Sequence, residues 1–282
     1  IYEAGGYTEM AKMYGFALNN DCSYAALEVP QGRRSKQFDI IRPILEADVL
    51  VNIAKLKTHG MMGLSAAVKN LFGCVPGLMK PELHCRFPER EAFAEMLVDL
   101  CCALKPSLNV VDGIVGMEGN GPTGGKPRFV GALAASRDPF ALDLVCAALI
   151  HQSPVQVPYL RAGMARNVCP ESVEELILLG TSLPSLSVPD FEQPESCSVN
   201  FLDWLPKFLR PLAEKIATPV PRIQQNNCVG CGKCAESCPQ HTIRMVDGHA
   251  TIDYRNCIRC YCCHEMCPKH VIDIKRFRLF RL

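Results

Sequence analysis

The sequence predicts an α/β fold, in which a mostly parallel sheet forms a first domain and a small α+β domain follows at the C-terminus. Through the first part of the chain, short apolar runs rich in β-branched residues alternate with amphipathic helical patterns, as in sheets whose parallel strands are joined by helices. Residues 181–200, which are rich in proline and serine, end this alternation. Beyond them, cysteines are crowded into two short runs, which indicates a second domain with a different organisation.

Each element of the first domain has its own signal. Apolar runs predict strands at 24–29, 49–53, 108–111 and 129–134. Helical periodicity predicts helices at 8–14, 64–72, 93–104, 157–166 and 172–178. Gly15 and Gly73 would end two of these helices, and Pro106 a third. Asp138 and Pro139 mark the start of a further helix, because aspartate is a good N-cap and proline is tolerated in the first turn.

The overall composition is that of a soluble globular protein, with 48% hydrophobic and 21% charged residues in a chain of 282. No run of about 18 apolar residues is present, so no transmembrane helix is expected. A formal net charge of +1 gives no reason to expect a nucleic-acid partner. Because Ile1 cannot be an initiator, we expect the chain to begin partway into the first domain.

The two cysteine runs share one spacing. The first is Cys228-x2-Cys231-x2-Cys234-x3-Cys238-Pro239, and the second is Cys257-x2-Cys260-x2-Cys263-x3-Cys267-Pro268. Two consecutive copies of this run are the ligand pattern of a pair of 4Fe-4S clusters, in which the fourth cysteine of each run ligates the other cluster. The sequence therefore predicts cluster 1 on Cys228, Cys231, Cys234 and Cys267, and cluster 2 on Cys257, Cys260, Cys263 and Cys238.

Cys262 lies beside Cys263 and needs a decision. Only Cys263 keeps the two-residue gap after Cys260 and the three-residue gap before Cys267, so Cys262 is predicted not to be a ligand. Zinc is the alternative metal, since paired Cys-x2-Cys motifs also bind zinc, but the proline after the last cysteine of each run favours iron-sulfur clusters. Between the runs, strands at 242–246 and 250–254 flank a hairpin turn signal, Asp247-Gly248.

Cysteine usage and charge bear on the compartment and on partners. Cys101, Cys102 and Cys146 lie in apolar runs, where a cysteine usually acts as a small buried hydrophobe. Thiolates and clusters that react with oxygen indicate a reducing, anaerobic cytoplasm. Residues 222–282 carry ten Lys or Arg and five Asp or Glu. Two oxidised clusters of about −2 each would bring this region near neutrality, which favours a tethered module over a free, strongly acidic carrier.

The chain is predicted to divide into three segments. An α/β domain spans 1–200, an amphipathic helix and proline-rich linker span 201–221, and a two-cluster ferredoxin domain spans 222–282. Within 201–215, apolar residues recur as on one side of a helix, and we interpret this helix as docked between domains rather than on a membrane surface. The tail at 275–282 alternates basic and hydrophobic residues, as an edge strand or a partner contact would.

Polar residues cluster where two predicted strands end. One strand runs into Lys55, Lys57 and His59, and the other is followed by Asp112 and Glu118. Ligands of α/β sheets bind beyond the carboxyl ends of the strands. Together with the glycine-rich loop at 118–125, these residues predict a site for a small anionic ligand. The predicted binding groups are Lys55, Lys57, Asp112 and Glu118. The predicted catalytic groups are His59, Lys69 and His84. A solvated loop is the alternative interpretation.

The chain resembles the domain-of-unknown-function family numbered 362 in four stretches: Lys55-Leu-Lys-Thr-His-Gly60, Ala67-Val-Lys-Asn-Leu-Phe-Gly-Cys74, Met117-Glu-Gly-Asn-Gly-Pro-Thr-Gly-Gly125 and Ala141-Leu-Asp143. Residues 257–268 are similar to the bacterial-type two-cluster ferredoxin module that is often fused to this family. The resemblance covers nearly the whole chain. It implies that an N-terminal α/β portion precedes Ile1.

A fainter resemblance links His59, Lys69 and His84 to the N-terminal domain of nickel-pincer lactate racemases. In that family the lysine holds the nickel-pincer cofactor and the later histidine helps to ligate the metal. Ala66 and Ala67 stand where that family has glycines. The resemblance therefore implies a shared site position and not the cofactor.

Three functions are consistent with the sequence. The first is electron transfer, in which two 4Fe-4S clusters relay single low-potential electrons to a redox protein partner or to a site in the α/β domain. The second is a ferredoxin-fed reductase that acts on a small anionic substrate at His59, Lys69 and His84. The third is a cluster-bearing scaffold subunit of a larger redox complex, docked through 201–215 and the tail.

Overall fold

The computed structural model describes residues 2–3, 5–195 and 218–275. Helices α1 to α10 span Tyr7–Tyr14, Arg42–Glu46, Ala67–Asn70, Lys80–Arg86, Arg90–Leu104, Pro139–Leu149, Pro158–Met164, Leu183–Leu186, Lys233–Glu236 and Cys262–Glu265. Strands β1 to β10 span Tyr24–Glu28, Gln37–Ile41, Val51–His59, Gly63–Ser65, Leu108–Glu118, Lys126–Ser136, Val220–Ile223, Ile243–Val246, His249–Ile252 and Ile272–Lys275. Strands β1 and β2 form a separate antiparallel pair.

A four-stranded sheet in the order β4-β3-β5-β6 forms the centre of the first domain. Its central strands β3 and β5 pair in parallel, from Val51 opposite Leu108 to Lys57 opposite Met117. The outer strands β4 and β6 are antiparallel to β3 and β5 respectively. The α/β class is confirmed, and the expected parallel pairing holds at the centre of a mixed sheet. Its edges are antiparallel because β4 and β6 each follow their partner strand after a loop, without a crossover helix.

One face of the sheet packs on helices. Ala54 and Leu56 of β3 belong to the same buried cluster as Phe93 of α5 and Leu144 of α6. The side chains that alternate with them lie on the other face and are exposed to solvent. The exposed fractions of Ile53, Phe129 and Leu133 are 68%, 70% and 65%. Within the part of the chain that the structure describes, this second face of the sheet is an uncovered apolar surface.

The helix predicted at 64–72 is only partly present. Leu64 lies in β4, and α3 begins at Ala67. Its start is fixed by Asp143 of α6, whose carboxylate accepts the N–H groups of Ala67 and Val68 at 2.6 and 3.0 Å. A carboxylate at this position satisfies donors that have no partner within the helix. Local periodicity does not reveal the contact, since the partners lie 76 and 75 residues apart.

Two of the remaining helix predictions differ in outcome. The helix at Asp138 is confirmed, and Asp138 Oδ1 accepts the N–H of Phe140 at 2.8 Å as an N-cap. The helix predicted at 172–178 is wrong, because the segment forms only a single 3-10 turn, Val173–Glu175. A capping box between Ser172 and Glu175 stabilises that turn. A capping box usually marks the start of a helix, but here no helix follows it.

Residues 218–275 form a small α+β domain. Strands β7 and β10 pair antiparallel, with Ile223 opposite Ile272, and β8 and β9 form the predicted hairpin. The one-turn helices α9 and α10 each begin inside a cysteine run. The helix predicted at 201–215 and the tail beyond Lys275 lie outside the described residues. None of the described helices has the length and apolar character needed to cross a membrane.

Candidate functional site

Eight cysteines of the second domain line two separate cavities. Cys228, Cys231, Cys234 and Cys267 line the first, and we name them the distal set. Cys238, Cys257, Cys260 and Cys263 line the second, and we name them the proximal set because Pro239 and Tyr261 of this cavity contact the first domain. Each set is the one that the spacing predicts for a single cluster. Cys262 lines neither cavity.

The two cysteine runs share a backbone conformation. Gly230 and Gly232 have φ angles of 67° and 75°, and Arg259 and Tyr261, at the matching positions of the second run, have 55° and 62°. Left-handed residues next to right-handed ones turn successive N–H groups into a concave anion site. A left-handed backbone is unfavourable for a non-glycine residue such as Tyr261. The side chain of Tyr261 is held in place by a hydrogen bond from its Oη to the carbonyl of Pro219 at 2.9 Å. Each run thus offers backbone donors to a negatively charged group.

The arrangement suits a cluster of several atoms better than a single ion. Zinc requires its thiolate ligands at about 2.3 Å from one point. Among the described residues, no three His, Cys, Asp or Glu side chains are placed to hold one metal ion. The cysteines instead line two cavities with largely apolar walls, including Ile223 and Ile272 in the first and Ile243 and Ile252 in the second.

The second domain packs directly on the first. Tyr261 and Ile274 belong to the buried cluster of the first domain. They lie over Gly60, where a Cβ atom would come 2.9 Å from Ile274 Cδ1, so glycine permits this close approach. Cys85 of α4 donates to the carbonyl of Pro239 at 3.1 Å, one residue after the proximal Cys238.

The glycine-rich loop between β5 and β6 contacts helix α10. His264 Nε2 lies 3.0 Å from the carbonyl oxygen of Asn120, and His264 Nδ1 contacts the carbonyl of Ile272. Both contacts are hydrogen bonds only if both ring nitrogens carry a proton. Thr123 Oγ1 donates to the carbonyl of Glu265 at 3.3 Å. The loop that was expected to bind a small ligand is therefore a docking surface for the second domain.

His59 and Glu265 meet within this interface. His59 Nε2 lies 3.4 Å from Glu265 Oε1, and only 2% of the histidine side chain is exposed. His59 Nδ1 accepts the N–H groups of Met61 and Met62 at 3.1 and 3.3 Å. Burial, together with the positive charge of Lys69, holds the pKa of His59 well below its usual range. The ring is therefore neutral, with its proton on Nε2 and directed at Glu265.

Lys69 and His84 lie around Phe72. Lys69 Nζ is 4.8 Å from the centre of the Phe72 ring, within cation–π distance. His84 meets the edge of Phe72 at 6.0 Å and stacks on Phe93 at 4.3 Å. Among the described residues, His84 Nδ1 is buried with no hydrogen-bond partner. The positive charge of Lys69 lowers the pKa of both His59 and His84. The three predicted catalytic residues therefore lie in one region of the structure.

Burial controls the ionisation of this region. It lowers the pKa of His84 to about 3, and the charge of Lys69 adds to the shift. It also lowers the pKa of Lys69, while the charge of Glu265 opposes that shift. Burial raises the pKa of Glu265, and Lys69 is the largest opposing influence. Lys69 of the first domain and Glu265 of the second thus stabilise each other's charged forms across the domain boundary.

The four residues predicted to bind an anion have different contacts in the structure. Lys55 Nζ and Asp112 Oδ2 form an exposed ion pair at 2.8 Å, because they lie opposite each other in the β3–β5 register and neutralise one another. Glu118 Oε2 accepts the N–H of Glu192 at 3.1 Å. Of the four, Lys57 alone lies close enough to Glu265 to lower its pKa. In the structure Lys55 and Asp112 contact each other and Glu118 contacts Glu192, and an anion site on these residues stays a prediction.

Sequence reasoning missed the second-domain side of this interface. Tyr261 and His264 occupy the positions that Gly232 and Ala235 occupy in the first run, 29 residues earlier. The bulkier pair contacts the first domain, through Gly60 and Asn120. A position-by-position comparison of the two runs would have shown that the second run carries the contact surface. Lys80, whose Nζ lies 6.0 Å from the Phe72 ring, had no comparable signal.

Comparison with known proteins agrees with this division. The family described as a domain of unknown function, DUF362, matches residues 1–148, and a 4Fe-4S dicluster domain matches residues 220–268. The thylakoid-associated protein sll1697 of Synechocystis sp. is 38% identical over 177 residues, which cover 59% of this chain and 55% of the relative. The chain therefore spans about half the length of the curated relative that it matches. These matches do not extend to nickel-pincer lactate racemases. The chain belongs to the DUF362 family and carries a 4Fe-4S dicluster domain, which makes it an iron-sulfur protein.

Proposed function

We propose that the protein holds two 4Fe-4S clusters and relays single low-potential electrons through them towards its α/β domain. The observation that carries this proposal is the place of the proximal set, whose cavity is partly walled by Tyr261 and Pro239, two residues that contact the first domain. When bound, each cluster takes up and releases one electron at a time. An electron on the proximal cluster would lie beside the region of His59 and Glu265.

The cysteines and their surroundings have separate roles in this relay. Each set of four thiolates would hold one cluster, and the left-handed backbone at Gly232 and Tyr261 would direct N–H groups at it. Apolar side chains such as Ile243 and Ile252 line the proximal cavity and lower its polarity. Burial in low dielectric disfavours added negative charge, so a low reduction potential is expected.

Anaerobic metal analysis and a redox titration test the proposal. Reconstituted protein should contain about eight iron and eight sulfide per chain, because two cubanes are held. Reduction should proceed in two one-electron steps near or below about −350 mV, in the lower part of the range open to these clusters. Four iron per chain would contradict the two-cluster relay. So would reduction well above about −200 mV, a potential too high for a low-potential carrier.

A second function, a reductase fed by the clusters, is favoured by one specific observation. His84 Nδ1 is buried without a partner among the described residues, close to the charge of Lys69. A buried polar atom without a partner is costly, so a ligand atom or proton that reaches it would gain energy. A small anion placed between Lys69 and His84 could receive electrons from the proximal cluster. The third function, a scaffold subunit, depends on 201–215 and the tail and stays a prediction.

Compartment and partners are part of the proposal. We propose a reducing, anaerobic cytoplasm, because clusters and thiolates react with oxygen. We expect a redox protein as the electron donor or acceptor and no nucleic-acid partner.

A further inference from the structure

We infer that the surface around the distal set is a docking site for an acidic one-electron carrier protein. This inference rests on the proposed relay and adds the partner and its point of entry. One electron would leave the reduced carrier and enter the distal cluster, so that the carrier is oxidised and the cluster reduced by one electron each. No proton, bond change or further reactant is needed.

Exposure distinguishes the two ends of the relay. Cys231 of the distal set is exposed, and Val229 beside it is 59% exposed. All but one of the proximal cysteines are buried, and the loop after Cys238 contacts Cys85 of the first domain. Electron transfer between proteins requires close approach of the two centres. Within the described residues, the distal set is the end that a second protein can approach.

The charge around the distal set is basic. Lys269 lines the distal cavity and is exposed, and Lys233 is exposed between Cys231 and Cys234. Neither lysine forms an ion pair within the described part of the chain. A solvent-exposed apolar residue, Val229, lines the same cavity as Lys269. An apolar centre with a charged rim is the usual composition of a transient protein interface.

The acidic groups of this domain offset the basic ones only in part. Asp253 pairs with Arg255 and Asp273 pairs with Lys275, while Glu265 is directed into the domain interface. Glu236 and Asp247 are the exposed acids that stand outside these pairs. Two oxidised clusters would bring the domain as a whole near neutrality, so the positive charge is local and comes from the exposed Lys233 and Lys269 beside the distal set. Free electron carriers that steer by charge to such a surface are strongly acidic.

Binding of purified carriers to the full, cluster-loaded chain tests the inference. The probes are a flavodoxin and a plant-type 2Fe-2S ferredoxin, both strongly acidic, with titration calorimetry as the measurement under anaerobic conditions. We expect binding at about 20 mM salt that weakens at least tenfold at about 500 mM, where charges are screened. Lys233→Glu and Lys269→Glu should each weaken binding roughly three- to tenfold.

Matched controls separate the outcomes. Lys12→Glu makes the same charge change on an exposed position of α1 and should leave binding within twofold of the original. Iron content is measured for every variant. If a charge-reversing lysine-to-glutamate variant loses iron, Lys233→Ala or Lys269→Ala takes its place, and we expect a smaller loss of carrier affinity. Equal affinity of all variants, or no binding of either carrier to the unmodified chain, overturns the docking inference. Reduction by dithionite in the same samples is independent of docking, so its failure would count against the relay instead.

Discussion

His59 Nε2 lies 3.4 Å from Glu265 Oε1, which joins the end of a sheet strand to a residue inside a cysteine run of the other domain. Glu265 stands two residues after Cys263 and two before Cys267. The polar region predicted in the first domain is thus completed by the second domain. The two domains meet in one interface here, and we expect a change on either side of it to affect the other.

The register of the second run is tested by two neighbouring cysteines. Cys263 lines the proximal cavity and Cys262 does not. Cys263→Ala should therefore lower iron content towards about four per chain, while Cys262→Ala keeps about eight. Iron and sulfide analysis of anaerobically reconstituted protein measures both. Equal iron loss in the two variants would show that the ligand register is shifted by one residue.

Domain docking is tested at Gly124. A Cβ atom there would come 2.4 Å from His264 Cε1, so alanine must displace the His264 ring from Asn120. We expect Gly124→Ala to destabilise the docked arrangement by about 1–3 kcal/mol, the usual cost of overpacking. Hydrogen exchange at residues 58–64 and 119–125 should accelerate, and iron content should not change.

Gly73→Ala is the matched control for this substitution, because nothing lies within 4 Å of a Cβ at Gly73. Its exchange pattern should equal that of the unmodified protein. If Gly124→Ala also leaves exchange unchanged, the contact between the loop and α10 does not hold the domains together.

The sequence specified the local features of this protein more fully than its distant ones. Ligand spacing is local, so the two cysteine sets could be assigned from Cys228 onwards without a structure. The start of α3 could not, since it depends on Asp143 far along the chain. The partners of His59 likewise lie in another domain. The ion pair of Lys55 and Asp112 could not be assigned from the sequence either, because it depends on the register between β3 and β5.

A buried carboxylate secures the loop before β2. Asp99 of α5 accepts the N–H groups of Arg33 and Arg34 at 2.8 and 2.7 Å and pairs with Arg166 at 2.7 Å, and none of its side chain is exposed. Asp99→Asn would leave the Arg166 charge unpaired and remove an acceptor. We expect a loss of about 3 kcal/mol in the free energy of unfolding, as for other broken buried pairs.

Asp190→Asn provides the surface control for Asp99. Asp190 pairs with Arg128 at 2.6 Å, but its side chain is 72% exposed. Denaturant unfolding of this variant should show a loss below about 1 kcal/mol. Similar losses for the two variants would mean that Asp99 does not anchor the loop.

Acid should destabilise the protein through His84. Burial lowers its folded-state pKa to about 3, whereas the unfolded chain titrates near the ordinary value of about 6.5. The unfolded state therefore binds the extra proton as pH falls below about 6.5, and this histidine removes up to about 1.4 kcal/mol of stability per pH unit until pH reaches about 3. His84→Phe should keep the stacking on Phe93 and abolish this contribution. Melting temperatures between pH 7 and 5 should fall less steeply in the variant, and parallel slopes would rule out a neutral buried His84.

The reductase hypothesis is tested at Lys69. Lys69→Met keeps the aliphatic stem over Phe72 and removes the charge that acts on His59, His84 and Glu265. Folding and iron content should be retained, because the charge is not needed to fill the space. If a small anion binds beside Lys69, calorimetry with a panel of carboxylates and phosphate should detect its binding to the unmodified protein. The affinity should fall at least tenfold in the variant, because a charge-assisted contact of about 1.5–3 kcal/mol is lost. Lys12→Met, at an exposed position of α1, should bind like the unmodified protein. Unaltered anion affinity in Lys69→Met would remove the α/β site from the proposal and leave the two-cluster relay standing.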